Sequence, residues 1–208
     1  YRFYDGEGGL ASHVALNNPY HVALHPITGD LFFVDHENHV VRTLDQHGSS
    51  VVTTVAGTPG VSGYYGDGGL AKEALLYYPT CIAFSLDGQY MYIADSDNHR
   101  VRMVKDGIIT TVAGNGTKGS GRDGVLAIST QLNRPVSLTV LPTTGELVIS
   151  DSWNHRIRKV GSNGMISTIA GTGTRTFPEG SNLGDNGLAT SATLNFPEGI
   201  IANSNGEI

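Results

Sequence analysis

The chain has 208 residues, 39% hydrophobic and only 15% charged, the composition of a folded domain and far from that of a disordered one. Its 28 glycines and 8 prolines follow no collagen period and are too many for a helical bundle, so they read as the frequent tight turns of an all-β protein. A formal charge of −6 weighs against a nucleic-acid partner, the single Cys81 rules out an internal disulfide, and no apolar run approaches a membrane span.

Four similar units follow one another, at about 1–63, 64–121, 122–180 and an incomplete 181–208. In the first, Glu7 and Leu10 precede Pro19, and Asp35 opens the pattern D-x-x-N-H-x-x-R, read as Asp35, Asn38, His39 and Arg42 before an Ala-Gly pair ending at Gly57. The second repeats the order with Asp67, Leu70, Pro79, Asp95, Asn98, His99, Arg102 and Gly114. Here Gly69 to Leu76 reads G-L-A-x-x-A-x-L, and the i, i+4 pairing of Leu70 with Ala74 predicts a short helical turn. Four strands are expected after it, Cys81–Ser85, Tyr90–Ala94, Arg100–Lys105 and Ile108–Ala113, rich in Val, Ile, Tyr and Thr and separated by turn residues. The third unit carries Asp123, Leu126, Pro135, Asp151, Asn154, His155, Arg158 and Gly171. The fourth carries Asp185, Leu188 and Pro197, and the sequence reaches Ile208 inside what should be its second strand.

Four antiparallel strands and one long connection per repeat describe a β-propeller blade. About three and a half blades are present. Because an unpaired blade edge is normally avoided, the expectation is a fragment of a longer chain, ahead of two copies closing a ring as a homodimer or an open arc.

The Asn-His pairs at 38–39, 98–99 and 154–155, with T-V-A-G followed by G-D-G-G-L-A, resemble the NHL-repeat family, in particular the NHL region of teneurins and other large modular proteins. Val40, Arg100 and Arg156 stand at the motif's third letter, where the family name has Leu. The resemblance covers essentially the whole chain and implies a propeller of about six blades. The family also includes an amidating lyase that binds metal in its channel, whose site residues find no match here, and the RNA-binding domains of tripartite-motif proteins, which need a basic face.

Strand direction places the turn after strand two and the connection after strand four on one face of each blade. Asp35, Asp95 and Asp151 are therefore expected near Glu7, Asp67, Asp123 and Asp185, along one acidic rim bearing the longest loops. Since every unit repeats D-x-x-N-H-x-x-R, a structural role is favoured, with the Asp accepting turn amides and the Arg reaching back to it. Asp95-Ser-Asp97-Asn98 opens like a calcium loop but lacks its glycine and late Glu. The G-x-G-x-x-G of Gly114 to Gly119 has no crossover helix after it, so no dinucleotide cofactor, and no other cofactor, is expected. Asn115-Gly-Thr117 is the sole glycosylation sequon, and it favours an extracellular or lumenal location.

Period two turns the residue two after each proline away from the apolar face, toward the central channel: His21, Cys81, Ser137 and Gly199. These differ between units. Cys81 as nucleophile with His21 as base is the enzymatic alternative, a lyase or hydrolase with or without a metal. The plainer reading is a small, half-buried position. His13, His21, His25, His36, His39 and His47 crowd the first unit, but no short spacing secures a zinc site. The favoured function is a non-catalytic scaffold that binds another protein, or other domains of its own chain, through the acidic loop face.

Overall fold

Short alternating runs bounded by Gly, Pro and Asp become strands throughout the computed structural model, which describes residues 6–45, 50–175 and 184–208. The first blade contains β1 (Gly9–Leu10), β2 (Pro19–Leu24), β3 (Leu31–Asp35), β4 (Val40–Leu44) and β5 (Val51–Ala56). The second contains β6 (Pro79–Phe84), β7 (Met91–Asp95), β8 (Arg100–Lys105) and β9 (Ile108–Ala113). In the third are β10 (Val125–Leu126), β11 (Pro135–Val140), β12 (Leu147–Asp151), β13 (Arg156–Val160) and β14 (Met165–Ala170). Every sheet is an antiparallel meander, ordered β1-β5-β4-β3-β2, β6-β7-β8-β9 and β10-β14-β13-β12-β11. The chain is therefore all-β, a partial propeller of four-stranded blades in which a two-residue strand from the preceding connection extends the outer edge of the first and third.

Expected strand and turn positions match closely, with one instructive difference. The innermost strand of the second blade starts at Pro79, two residues before the expected Cys81. Proline is tolerated there because this is an edge strand, where a missing N–H breaks no ladder. The expected helical turn is a 3-10 turn, Ala71–Glu73, with counterparts at Ala11–His13, Ala127–Ser129 and Ala189–Ser191.

Each innermost strand also carries a β-bulge that the strict alternation did not foresee. Register shifts between Pro19 and His21, between Pro79 and Cys81, and between Pro135 and Ser137. Beyond the bulge, alternate residues enter two different interfaces. Ile82, Ile93 and Ile109 pack with Val34 and Val41 of the first blade, whereas Cys81, Ala94 and Val101 pack with Leu138, Ile149 and Ile166 of the third. A third cluster joins Leu141, Val148 and Ile157 to Leu194, Ile200 and Ala202 of the fourth unit. Residues 197–202 lie against this cluster without forming a ladder, since no described strand runs beside them.

Both faces of the middle blade are thus covered by neighbours, and equivalent positions differ in burial only by what stands beside them. Val22 is 60% exposed on the first blade, while its counterparts Ile82 and Leu138 are 1% and 4% exposed. Ile82→Ala is expected to cost about 2–5 kcal/mol through lost transfer energy and the cavity left behind. Val22→Ala should change stability by less than about 0.5 kcal/mol. Urea unfolding of the two variants checks the difference, and equal losses would contradict the blade-on-blade packing.

Candidate functional site

The turn motif begins with an aspartate at the end of the second strand of each blade. Asp35, Asp95 and Asp151 have no exposed surface. One carboxylate oxygen accepts the backbone N–H of Asn17, Tyr77 or Asn133, at 2.7, 2.8 and 2.8 Å. The other accepts Nδ2 of Asn38, Asn98 or Asn154, at 2.9, 2.8 and 2.8 Å. The same oxygen meets Nη1 of Arg42, Arg102 or Arg158, at 3.3 Å in all three blades.

The arginine then reaches a second carboxylate. Arg102 pairs with Asp67 at 2.7 Å and Arg158 with Asp123 at 2.8 Å. Asp67 and Asp123 also bind Thr111 and Thr168 on the outermost strand, as Glu7 binds Thr54. The two motif rows do meet: Asp35, Asp95 and Asp151 are buried, while Glu7, Asp67, Asp123 and Asp185 are exposed. The buried guanidinium groups of Arg102 and Arg158 bridge the two rows, because a buried charge requires a partner. Burial pushes the Asp95 carboxyl up to about 6 and raises that of Asp151, outweighing the hydrogen bonds and arginines that pull the other way. The less buried Asp67 and Asp123 are held below the ordinary carboxylate range by their hydrogen bonds and arginines, despite partial desolvation.

The motif histidine joins one blade to the next. His39, His99 and His155 adopt left-handed backbone, φ 59°, 53° and 54°, and end the 3-10 turn. A Cβ on Gly57, Gly114 or Gly171 would strike the carbonyl oxygen of the same histidine, which accounts for the closing Ala-Gly. Each imidazole Nδ1 accepts the backbone N–H of the residue before the next proline: Tyr78 at 3.3 Å, Arg134 at 3.2 Å and Phe196 at 3.1 Å.

The candidates His21, Cys81 and Ser137, two residues after each proline, take part in these junctions. His21 Nδ1 accepts the Ile82 N–H at 3.5 Å, Cys81 Sγ the Leu138 N–H at 3.3 Å, and Ser137 Oγ the Ile200 N–H at 3.3 Å. Three dissimilar side chains do one job: each satisfies a backbone amide just after the next repeat proline. Cys81 and His21 consequently serve different interfaces, and burial pushes the thiol up to about 11, so it stays protonated at neutral pH. A thiolate nucleophile is not available there. The remaining described histidines disperse as well: His25 binds the Gly88 carbonyl at 3.1 Å, and His36 that of Pro79 at 2.8 Å. His47 lies outside the described residues. Among the described residues, no three His, Cys, Asp or Glu side chains are placed to hold a metal.

What does converge is a hollow of about 400 Å³ lined by Tyr20, His36, Thr80, Ser96, Arg134, Val136, Ser152, Trp153, Phe196 and Glu198. Tyr20, Thr80, Val136 and Glu198 each directly follow a repeat proline, and His36, Ser96 and Ser152 each directly follow a repeat aspartate. In the three complete blades the post-proline position falls at the bulge, a device that re-aims a side chain. Tyr20 stacks on His36 with ring centroids 5.0 Å apart, and Trp153 meets Phe196 edge-on at 5.8 Å. Arg134 lies over Trp153 at 4.9 Å and pairs with Asp97 at 2.6 Å. The candidates His21, Cys81 and Ser137 each stand one residue beyond a member of this lining. The usable signal was variability at fixed offsets from the repeated Pro and Asp.

Stacked antiparallel blades, each holding an Asp–Arg pair and joined to the next by a histidine, define a β-propeller repeat protein. Residues 132–160 match the model of the NHL repeat. Teneurin-m of Drosophila melanogaster is 34% identical over 187 residues, 79% of this chain and 7% of that protein. Protein SUPPRESSOR OF QUENCHING 1, chloroplastic, of Arabidopsis thaliana is 27% identical over 97% of this chain and 19% of its own length. The chain thus spans under a fifth of either relative. Among solved structures, an auxiliary nutrient binding protein from Bacteroides ovatus superposes with a TM-score of 0.65 at 16% identity, covering 91% of this chain and 44% of that one. The chain belongs to the NHL-repeat family.

Two outcomes follow from the buried groups. Arg102→Met strands the Asp95 carboxylate in the interior, and should cost about 3–5 kcal/mol at neutral pH, while the pair Asp95→Asn/Arg102→Met recovers part of it. Urea titration of both variants decides this, and the single variant's deficit should shrink as acid neutralises Asp95. Burial lowers the pKa of His99 below 6.5, so its folded form favours the neutral ring; that stability is present above pH 6.5 and is lost as pH falls through the lowered value. His99→Asn keeps a residue tolerant of left-handed backbone and a non-titrating acceptor. From pH 7 to pH 5 wild type should lose stability relative to this variant, and a constant gap between their melting curves would refute the histidine's role.

Proposed function

We propose that this chain is a non-catalytic NHL-repeat segment that recognises a protein partner, or another domain of the same polypeptide, through the face bearing the D-x-x-N-H turns. One observation carries the reading: repeated residues are spent on holding blades together, while residues that differ from blade to blade share one hollow on that face. A protein that recognises a particular partner needs such unlike side chains at a common site, and a rigid scaffold that presents them. The hollow offers exposed aromatic rings beside buried hydroxyls, the composition of interface anchors. The enzymatic alternative loses its nucleophile to burial at Cys81.

Retention of proteins on the immobilised chain tests the assignment, comparing wild type with Tyr20→Ser/Trp153→Ser and with Leu86→Ser. Leu86 is exposed in the hairpin between β6 and β7, at the other end of the blade. A partner held by wild type and Leu86→Ser should bind the double variant at least about 30-fold more weakly, as loss of a hot-spot aromatic implies. Equal retention by all three, or loss confined to Leu86→Ser, would reject this face.

A further inference from the structure

We propose that Asn115 is a glycan attachment site, modified on its side-chain nitrogen as the chain passes through a secretory compartment. The site is the loop that follows β9, and it does not depend on the recognition face above.

Asn115-Gly116-Thr117 has the acceptor spacing, an amide with a hydroxyl two residues on and no proline between them. A transferred oligosaccharide is bulky, so such a triplet serves only at the surface. Asn115 and Thr117 are both exposed, just past the end of the outermost strand. The backbone around them is held firmly. Arg100 donates to the Gly114 carbonyl at 3.3 Å and to the Asn115 carbonyl at 2.8 Å. The Asn115 N–H is used as well, donating to the Thr130 carbonyl at 2.8 Å. A Cβ on Gly116 would strike the Arg100 guanidinium, so the residue between amide and hydroxyl has to be glycine. The main chain is thus committed to the blade, and the two acceptor side chains are left at the surface.

Turn chemistry alone does not require asparagine here. Asn115 Oδ1 accepts the Thr117 N–H at 2.9 Å. In the third blade Thr172 holds the equivalent position, and its Oγ1 accepts the Thr174 N–H at 3.4 Å. The turn asks for an acceptor oxygen, which threonine supplies. What asparagine adds is Nδ2, whose hydrogen bond to the Ser129 carbonyl is a long 3.4 Å.

That nitrogen is the atom modified, with a lipid pyrophosphate-linked oligosaccharide as donor. The bond from sugar C1 to the phosphate oxygen breaks, a C1–Nδ2 bond forms, one Nδ2 proton is released and the lipid pyrophosphate leaves. Oδ1 and the second Nδ2 hydrogen remain, so the turn and the Ser129 contact both survive the change. The compartment also suits the rest of the chain. Its single cysteine, Cys81, is buried and its thiol is pushed up to about 11, which leaves no reactive thiol exposed to oxidising surroundings.

Trypsin cleavage after Lys105 and Lys118 yields the peptide 106–118, in which Asn115 is the sole asparagine. From protein isolated from its source organism, mass spectrometry of this intact peptide should show added hexose and N-acetylhexosamine, removed by peptide N-glycosidase. Secreted from animal cells behind a signal peptide, wild type should carry the same modification and run slower on a denaturing gel until it is deglycosylated. Thr117→Ala and Asn115→Thr should both lose that mobility shift. Asn115→Thr installs the third blade's residue and keeps the turn, so its loss of shift reports the acceptor nitrogen and not misfolding. A native peptide found only unmodified, a secreted wild type without glycan, or a shift retained by Thr117→Ala would overturn the proposal.

Discussion

A carboxylate with no access to water organises every complete blade. Asp35, Asp95 and Asp151 end a strand, receive a backbone N–H from the segment before the innermost strand, and hold the turn asparagine and the arginine of strand three. Donors three, seven and eighteen residues away meet on the two oxygens of each carboxylate. An unpaired charge in that position is costly, so the blade closes only when all donors are in register. Such an arrangement is valued less for net stabilisation than for the single geometry it enforces. The histidine next to the asparagine inherits its position from that geometry.

That inherited position lets one blade build upon another. The innermost strand of a blade is an edge, with alternate amides left without a strand partner. Two side chains of the preceding blade supply acceptors for it, the motif histidine before the proline and His21, Cys81 or Ser137 on the opposite approach. The histidine is the same in all blades because only a left-handed residue with a long acceptor arm reaches the amide. At the second position an imidazole, a thiol and a hydroxyl all serve, since any modest acceptor suffices. Variation there reflects tolerance, and variation around the hollow is what the proposed recognition face rests on.

The difference between those two kinds of variation was invisible along the chain. Both sets diverge between units, and they are adjacent in sequence: Tyr20 beside His21, Thr80 beside Cys81, Val136 beside Ser137. A single bulged residue after each proline separates them, directing one set to the hollow and the next into the blade interface. Strict alternation read through the bulge does not separate the two members of each pair.

Repetition alone determined the fold class, the strand order within a blade, the turns and the pairing of each Asp with the Arg seven residues on. These are local matters, fixed by turn chemistry and by a period that recurs within some sixty residues. Tertiary structure decided that the strand-end acids would be buried against arginines, that Cys81 would be a buried interface thiol, and that Ser96, Trp153 and Glu198 would share one hollow. Each of these depends on which neighbouring blade covers which face. Burial, and with it pKa and hydrogen-bond demand, is a property of two blades in contact and has no signature within either repeat.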